Sequence, residues 1–376
     1  MNVVLSYGDL AYPGGYRTRV LGELQSLDRT TDPNPFLLVF DRNPPAFEKS
    51  FELDIPHKAI PRSSVLRFYS AMAKIARGQS FGMVHAHNLY STALALSARR
   101  KYGYKVVLDY HGRIPEEYVF LGKGGGSSRK ALELLEGWCV RRADHIIVVS
   151  QKLAEYLIGR YRILPNKVSV IPCCTDASIF KWDRDKRDAV RQSMNFGTKF
   201  VCTHLGSFSH WYDPELLVKV FKTISLRFDN AHLLVVTADA KQAAEFLAAN
   251  LPGDRFTVRS AAHSEVPGLL NASDVGMLLL RQSPNIETSS PVKFAEYLNC
   301  GLPVLITDRV GDYSHMTMEH QVGAIVAADS AFDPSILSRI KDDRTNIALR
   351  CQSAGRELTW TAYSHAWSRM ISALLL

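Results

Sequence analysis

The sequence predicts two doubly wound α/β domains joined by a polar segment. Short runs rich in β-branched and other apolar residues alternate with amphipathic helical stretches from end to end. Most of these runs are apolar without alternation, as expected of strands covered by helices on both faces. The alternation breaks only once, across 172–198, where Asp176, Lys181, Asp183, Arg184, Asp185, Lys186 and Arg187 crowd the chain. A length of 376 residues also suits two cores better than one.

In the first half, strands are expected at 3–5, 36–40, 83–85, 105–109, 145–149 and 168–171, with helices near 16–27, 62–77, 90–102, 128–142 and 151–160. In the second half, strands are expected at 200–205, 233–236, 256–258, 275–280, 304–306 and 324–326. Helices follow near 214–227, 241–249, 265–272, 291–299 and 334–354. The expected domains are therefore 1–172 and 199–357, with 173–198 as linker and a last apolar helix, 358–376, packing back towards the first domain. Two such sheets facing one another form a cleft, and ligands of these sheets bind outside the strands' carboxyl ends.

Composition narrows the class. Apolar residues at 46% and charged residues at 22% are globular values, which excludes disorder and low complexity. The longest apolar run, Val275-Gly276-Met277-Leu278-Leu279-Leu280, falls well short of the ~18 residues of a membrane span. The chain enters its first apolar run without the basic segment and cleavage site of a secretion signal. The six cysteines show no metal-ligand pairing, and adjacent Cys173 and Cys174 suit neither a disulfide framework nor a zinc knuckle. A cytoplasmic setting is expected, with no metal and no cofactor. Lysine plus arginine exceeds aspartate plus glutamate by 45 − 37 = +8, which favours an anionic partner. The excess is spread along the chain and forms no basic tract of the kind that binds nucleic acid.

The densest chemical signal is Ser289-Ser290-Pro291-Val292-Lys293-Phe294-Ala295-Glu296-Tyr297-Leu298-Asn299-Cys300-Gly301-Leu302-Pro303-Val304. Ser290 and Pro291 read as N-cap and first residue of a helix that Gly301 and Pro303 end. Phe294 and Leu298 form its core face, while Lys293 and Glu296 share another. A lysine in the first turn opposes the helix dipole by about 0.3–1 kcal/mol. It fits there if an anion rests on the free N–H groups of the helix start; a surface Lys–Glu pair is the alternative reading.

This segment resembles the donor-site helix of glycosyltransferase family 4 (group 1), built on the GT-B fold. Other pieces follow in that family's order: Gly14-Gly15 after the first strand, Val84-His85-Ala86-His87, Ala143-Asp144-His145-Ile146-Ile147-Val148-Val149-Ser150, Ile171-Pro172 through Asp176 to Phe180, and Asp274-Val275-Gly276. The resemblance implies that Glu296 takes the nucleotide ribose and that His111, at the end of the strand 105–109, is catalytically important. It also implies a glutamate near the donor sugar, separated from Glu296 by seven intervening residues. That place falls on Thr288, with Glu287 one residue early, so either can take the role. Many members grip the diphosphate with an arginine and a lysine after the first strand of the second domain. Here that loop reads Gly206-Ser207-Phe208-Ser209-His210-Trp211, and Lys293 and Arg281 are left to supply the charge.

The donor site is thus expected at Gly206, Ser207, Arg281, Thr288, Ser289, Ser290, Lys293 and Glu296, with His111 and Glu287 as catalytic residues. Gly14, Gly15 and Arg17, followed by Arg19, suit an acidic or phosphorylated acceptor; a flexible turn with solvated arginines is the alternative. His85 and His87 lack a third ligand in sequence and read as core or cleft lining. Gly124-Gly125-Gly126-Ser127-Ser128 lacks the ending of a P-loop and reads as a flap or linker. Asp183-Arg184-Asp185 follows no strand and reads as a solvated charge run. Val65, Phe68, Met72 and Ile75 recur at helical spacing beside Arg62, Arg67, Lys74 and Arg77, which suits either core packing or docking on an anionic membrane. The expected activity is retaining, metal-independent transfer of a sugar from a nucleotide diphosphate to a glycan or lipid-linked acceptor. Its place would be cell-surface polysaccharide or glycoconjugate assembly, in the cytoplasm or at the inner face of the membrane. A nucleotide-sugar 2-epimerase of the same shape, or a non-catalytic binding protein, are the rival readings.

Overall fold

The computed structural model describes residues 2–8, 10–11, 14–28, 35–51, 54–77, 81–208 and 210–375. The chain divides into two compact units, Met1–Cys174 with Trp360–Leu376, and Thr175–Thr359.

Among the described residues, the first unit carries seven strands: β1 (Asn2–Tyr7), β2 (Phe36–Asp41), β3 (His57–Pro61), β4 (Met83–His87), β5 (Lys105–Tyr110), β6 (His145–Val148) and β7 (Val168–Val170). They pair in parallel in the order β3-β2-β1-β4-β5-β6-β7. The order of strand addition reverses between β1 and β4, where open sheets of this kind bind ligands. β3 is absent from the expected strands. Its His57 and Lys58 interrupt the apolar pattern, and it lies on the sheet edge where such residues are tolerated.

The second unit carries β8 (Phe200–Leu205), β9 (Ala231–Val236), β10 (Phe256–Arg259), β11 (Val275–Leu278), β12 (Val304–Thr307) and β13 (Gly323–Val326). Their order is β10-β9-β8-β11-β12-β13, again all parallel, with the reversal between β8 and β11. β8, β9, β11 and β12 are buried throughout, which is why their sequences show no alternation.

Three local expectations are corrected. The charged run holds a helix, Arg184–Ser193, whose N-cap Asp183 accepts from the Lys186 N–H. Arg187 and Arg191 reach Asp274 at 2.5 and 3.3 Å and tie this capped helix to its own core, while Arg184 and Asp185 are exposed, as expected of a solvated run. Gly126 begins the helix Gly126–Arg142, so the glycine stretch runs into a helix instead of forming a separate flap. The expected helix 334–354 is two, Ser335–Asp342 and Arg344–Arg356, parted at Asp343, whose carboxylate caps the second.

The helix Val65–Ile75 buries Phe68, Ala71, Met72 and Ile75 in the core beside Leu38, Phe40 and Ile60. Phe68, Met72 and Ile75 of its apolar stripe are therefore core. What it leaves outside is Val65, Leu66 and Tyr69, at 47%, 83% and 37% exposure.

Candidate functional site

The second unit concentrates its chemistry at the reversal point. β8 ends at Leu205, and Gly206 follows with φ +135, a conformation that side chains rarely adopt. A Cβ at Gly206 would stand 2.8 Å from the Tyr212 hydroxyl and 3.4 Å from Lys293 Cε. Bare backbone, a phenol and a lysine stem thus converge on one spot. The Leu205 N–H donates to the Tyr297 hydroxyl at 2.9 Å, which ties this turn to the helix Val292–Asn299. Lys293 lies in that helix's first turn. Glu296, one turn on, is 5% exposed, and burial raises its carboxyl against the opposing pull of Lys293 and His263. His204 is held near 4 by burial, so it is neutral at pH 7. Phe294 and Leu298 are fully buried, as the spacing requires.

The helix starts one residue later than expected, with Pro291 at the N-cap and no side-chain cap. Ser290 instead shares a hydrogen bond with the Tyr313 hydroxyl at 2.6 Å. Ser289 donates to the Ile286 carbonyl at 2.9 Å, and Thr288 to the Asn285 carbonyl at 3.2 Å. Thr288 is buried and its hydroxyl serves the short turn Ile286–Thr288. Glu287 is partly exposed and meets Arg309 at 2.9 Å. Arg281 donates to the Tyr212 carbonyl and pairs with Glu215 at 3.2 Å, an exposed contact. Ser207 is exposed beside Gly206, and Ser209 lies outside the described residues.

In the first unit, β4 and β5 deliver His85, His87, Asp109 and His111 to one region, because residues two apart on a strand share a face. His111 Nε2 lies 2.5 Å from Asp109 Oδ2, and His87 Nδ1 lies 3.0 Å from the same oxygen. Glu23, from the helix Gly15–Asp28, stands 3.1 Å from His85 Nε2 and 3.5 Å from His87 Nε2. Arg19 clamps the group: its guanidinium reaches Asp109 through two bonds of 2.9 and 2.7 Å, and Glu23 at 2.7 Å. Glu23, His85, His87 and Asp109 offer ligand atoms within 4.8 Å of one another, and both carboxylates already hold the guanidinium. Burial lifts the Glu23 carboxyl to about 8 and lowers His85 to about 4. Arg19 outweighs burial at Asp109, which stays well below the usual carboxylate range.

The predicted acceptor residues fare unevenly. Gly14 is exposed and no atom lies where its Cβ would stand, and Gly15 opens the helix. Arg17 is spent on its own unit, donating to the Leu10 and Ser50 carbonyls. Arg19 is no solvated arginine; it is 2% exposed. Sequence reasoning overlooked Glu23 and Asp109. The available signal was a carboxylate inside an otherwise apolar strand, together with the Arg19–Glu23 spacing of four.

The family model for Glycosyltransferase Family 4 matches residues 35–179, and that for Glycosyl transferases group 1 matches 199–342. The chain belongs to this family of glycosyltransferases. Its two parallel sheets are those of the GT-B fold, as in HepE of Anabaena solved with UDP and glucose. That comparison gives a TM-score of 0.75 at 15% identity, covering 99% of both chains. Sucrose-phosphate synthase of Thermosynechococcus elongatus superposes with a TM-score of 0.74 at 16% identity, over 100% of this chain and 99% of that one. Among curated relatives, the D-inositol 3-phosphate glycosyltransferase of Salinispora arenicola is 24% identical over 78% of this chain and 68% of its own length. One subunit of the phosphatidylinositol N-acetylglucosaminyltransferase of Arabidopsis thaliana is 27% identical over 63% of this chain and 49% of its own length. No helix among the described residues of this glycosyltransferase is long and apolar enough to cross a membrane.

Proposed function

We propose that this glycosyltransferase moves a sugar from a nucleoside diphosphate to a hydroxyl of a glycan or lipid-linked acceptor, with retention and without a metal ion. The observation that carries the reading is the convergence of Gly206, Tyr212 and Lys293, with buried Glu296 one turn beyond the lysine. A diphosphate needs positive charge and backbone donors close to it. Lys293 supplies the charge and the start of the helix Val292–Asn299 the backbone donors, while Gly206, whose own N–H goes to the Val236 carbonyl, leaves room for the phosphates beside them. Glu296 suits a ribose, since a buried carboxylate gains from hydroxyl donors. Neighbours solved with UDP and UDP-glucose support a uridine nucleotide as the first donor to try.

Retention fits a departing diphosphate that helps take the acceptor proton on its own side of the sugar. Lys293 would then offset the charge that grows on the leaving group. Glu287 or Thr288 lies within six residues of Lys293 in sequence and is the candidate contact to the sugar, while His111 of the first unit orients a substrate hydroxyl. Relatives named for inositol phosphate and phosphatidylinositol support a phosphorylated or lipid-linked acceptor. Attachment to an anionic membrane would use Val65, Leu66 and Tyr69 with Arg62, Arg67 and Lys74, since the rest of that helix is core.

Thermal-shift screening of nucleoside diphosphates and their sugars tests the donor, because a ligand of the folded state stabilises by mass action. Product release that requires added acceptor separates transfer from epimerisation. NMR of the fresh anomeric centre tests retention, and titration with EDTA tests metal independence. An inverted product, or activity lost to EDTA and restored by Mn²⁺, would overturn the mechanism.

A further inference from the structure

His111 is the only one of the clustered imidazoles with appreciable exposure, at 16% of its side chain, whereas His85 and His87 are fully buried. Its Nε2 lies 2.5 Å from Asp109 Oδ2 and 3.2 Å from His87 Nδ1, so the shorter, charged contact is the one to Asp109, and its Nδ1 has no hydrogen-bond partner among the described residues. Asp109 Oδ2 also faces His87 Nδ1 and Arg19 Nε, and Oδ1 faces Arg19 Nη2. Arg19 in turn donates to the Ile171 and Pro172 carbonyls at 2.9 and 3.0 Å. The carboxylate is therefore held from several directions and cannot rotate away. An ionised carboxylate only accepts hydrogen bonds, so every nitrogen pointed at it must carry the proton.

We propose that Asp109, clamped by Arg19, is a positioning residue that locks His111 in the tautomer protonated on Nε2, so that His111 meets substrate through Nδ1 as an acceptor from a hydroxyl. The same nitrogen that binds Asp109 is thereby removed from substrate chemistry, and the exposed one carries a lone pair. The group recognised at this point is a hydrogen-bond donor, a sugar or acceptor hydroxyl. Phosphate and carboxylate oxygens are excluded, since they would meet a lone pair with Asp109 behind it. The groups that face this dyad are Tyr16, Arg19 and Glu23 from the helix Gly15–Asp28, His85 and His87 from β4, and Cys173 after β7. Trp367 closes the far side by packing on His85 and brings no charge. The proposal rests on the reading above that His111 touches substrate.

Two measurements test it on the full chain. Imidazole ¹⁵N spectra, with the His111 signals assigned by their loss in His111→Gln, are expected to show a protonated Nε2 and an unprotonated Nδ1 near pH 7. Asp109→Asn should mix the tautomers. A wild-type His111 protonated on Nδ1, or a tautomer unchanged in Asp109→Asn, overturns the proposal whether or not sugar is transferred. In kinetics, Asp109→Asn should lower kcat by about tenfold or more while donor KM moves less than about threefold. In a His111→Ala background it should cost nothing further, and additive losses would overturn the coupling. If Asp109→Asn unfolds because buried Arg19 loses this carboxylate and keeps only Glu23, the double variant Arg19→Met with Asp109→Asn removes both charges and must give the same tautomer change.

Discussion

Gly311 passes so close to Ser289 that a Cβ on it would stand 1.9 Å from the Ser289 carbonyl oxygen, and its φ of +46 is itself unfavourable to a side chain. The Gly311 N–H also donates to the Ile286 carbonyl at 3.0 Å. The loop after β12 therefore braces the segment that leads into Lys293. Gly311→Ala should destabilise the second unit by about 2 kcal/mol or more, from left-handed strain plus a backbone clash. It should also weaken nucleotide binding. Thermal unfolding and calorimetry with UDP check this; unchanged values for both would mean the loop yields freely.

Lys293→Ala and Glu296→Gln should each weaken nucleotide-sugar binding by roughly ten- to a hundredfold, the worth of a charge-assisted hydrogen bond. Neither should unfold the chain, because glutamine keeps the shape of Glu296 and Lys293 is not fully buried. Calorimetry decides. Wild-type affinity in both variants would remove the donor from this helix.

Stability should fall in acid. His85, His204 and His232 are at most 4% exposed, and each is held near 4, below the usual 6.5, by loss of hydration. The unfolded chain takes up these protons first, so the stability is complete above about pH 6.5 and is lost as pH falls towards 4. The effect is on the order of 1–2 kcal/mol per histidine by pH 5. Glu23 acts in the opposite sense: raised from 4.5 to about 8, it contributes below pH 4.5 and loses that contribution as pH rises through 8. Burial raises Glu117, Glu136 and Glu296 as well, but it also lowers His87, His111 and His145, so six imidazoles oppose four carboxyls; Tm should drop between pH 6.5 and 5, and more steeply in Glu23→Gln. A flat or rising Tm across that interval would show that the imidazoles keep their protons when folded.

The helix Val65–Ile75 separates core from membrane by residue. Phe68→Ala should cost about 3–5 kcal/mol, as for any fully buried aromatic truncated in a core. Leu66→Asp should leave stability within about 0.5 kcal/mol and yet abolish sedimentation with anionic vesicles. Equal sedimentation of wild type and Leu66→Asp would place any membrane contact elsewhere.

Much of this glycosyltransferase is legible without coordinates. Where a strand is covered on both faces, as β8 and β11 are, an unbroken apolar run announces it. Gly301 ends its helix at φ +67, as the sequence requires. The edge strand His57–Pro61 was hidden because an edge tolerates polar residues, and the helix Arg184–Ser193 because its contacts with Asp274 are ionic and leave no apolar stripe. In the site, the spacing of Lys293 and Glu296 pointed to one helix face, but local pattern could not tell which hydroxyls were spoken for. Ser290 bonds Tyr313, twenty-three residues away.

By itself, the sequence determined the two α/β series, the break between them, and the helix that carries Lys293 and Glu296. These depend on periodicity and on capping, which act over a few residues. Only the tertiary structure decided that Arg19, Asp109, His87 and His111 form one buried network, and that Arg17 belongs to its own unit's backbone. Those relationships join residues up to ninety positions apart. They exist because parallel pairing sets β4 beside β5 and places the helix after β1 against them. A buried charge must then find its partner in space, and no local spacing records which partner that will be.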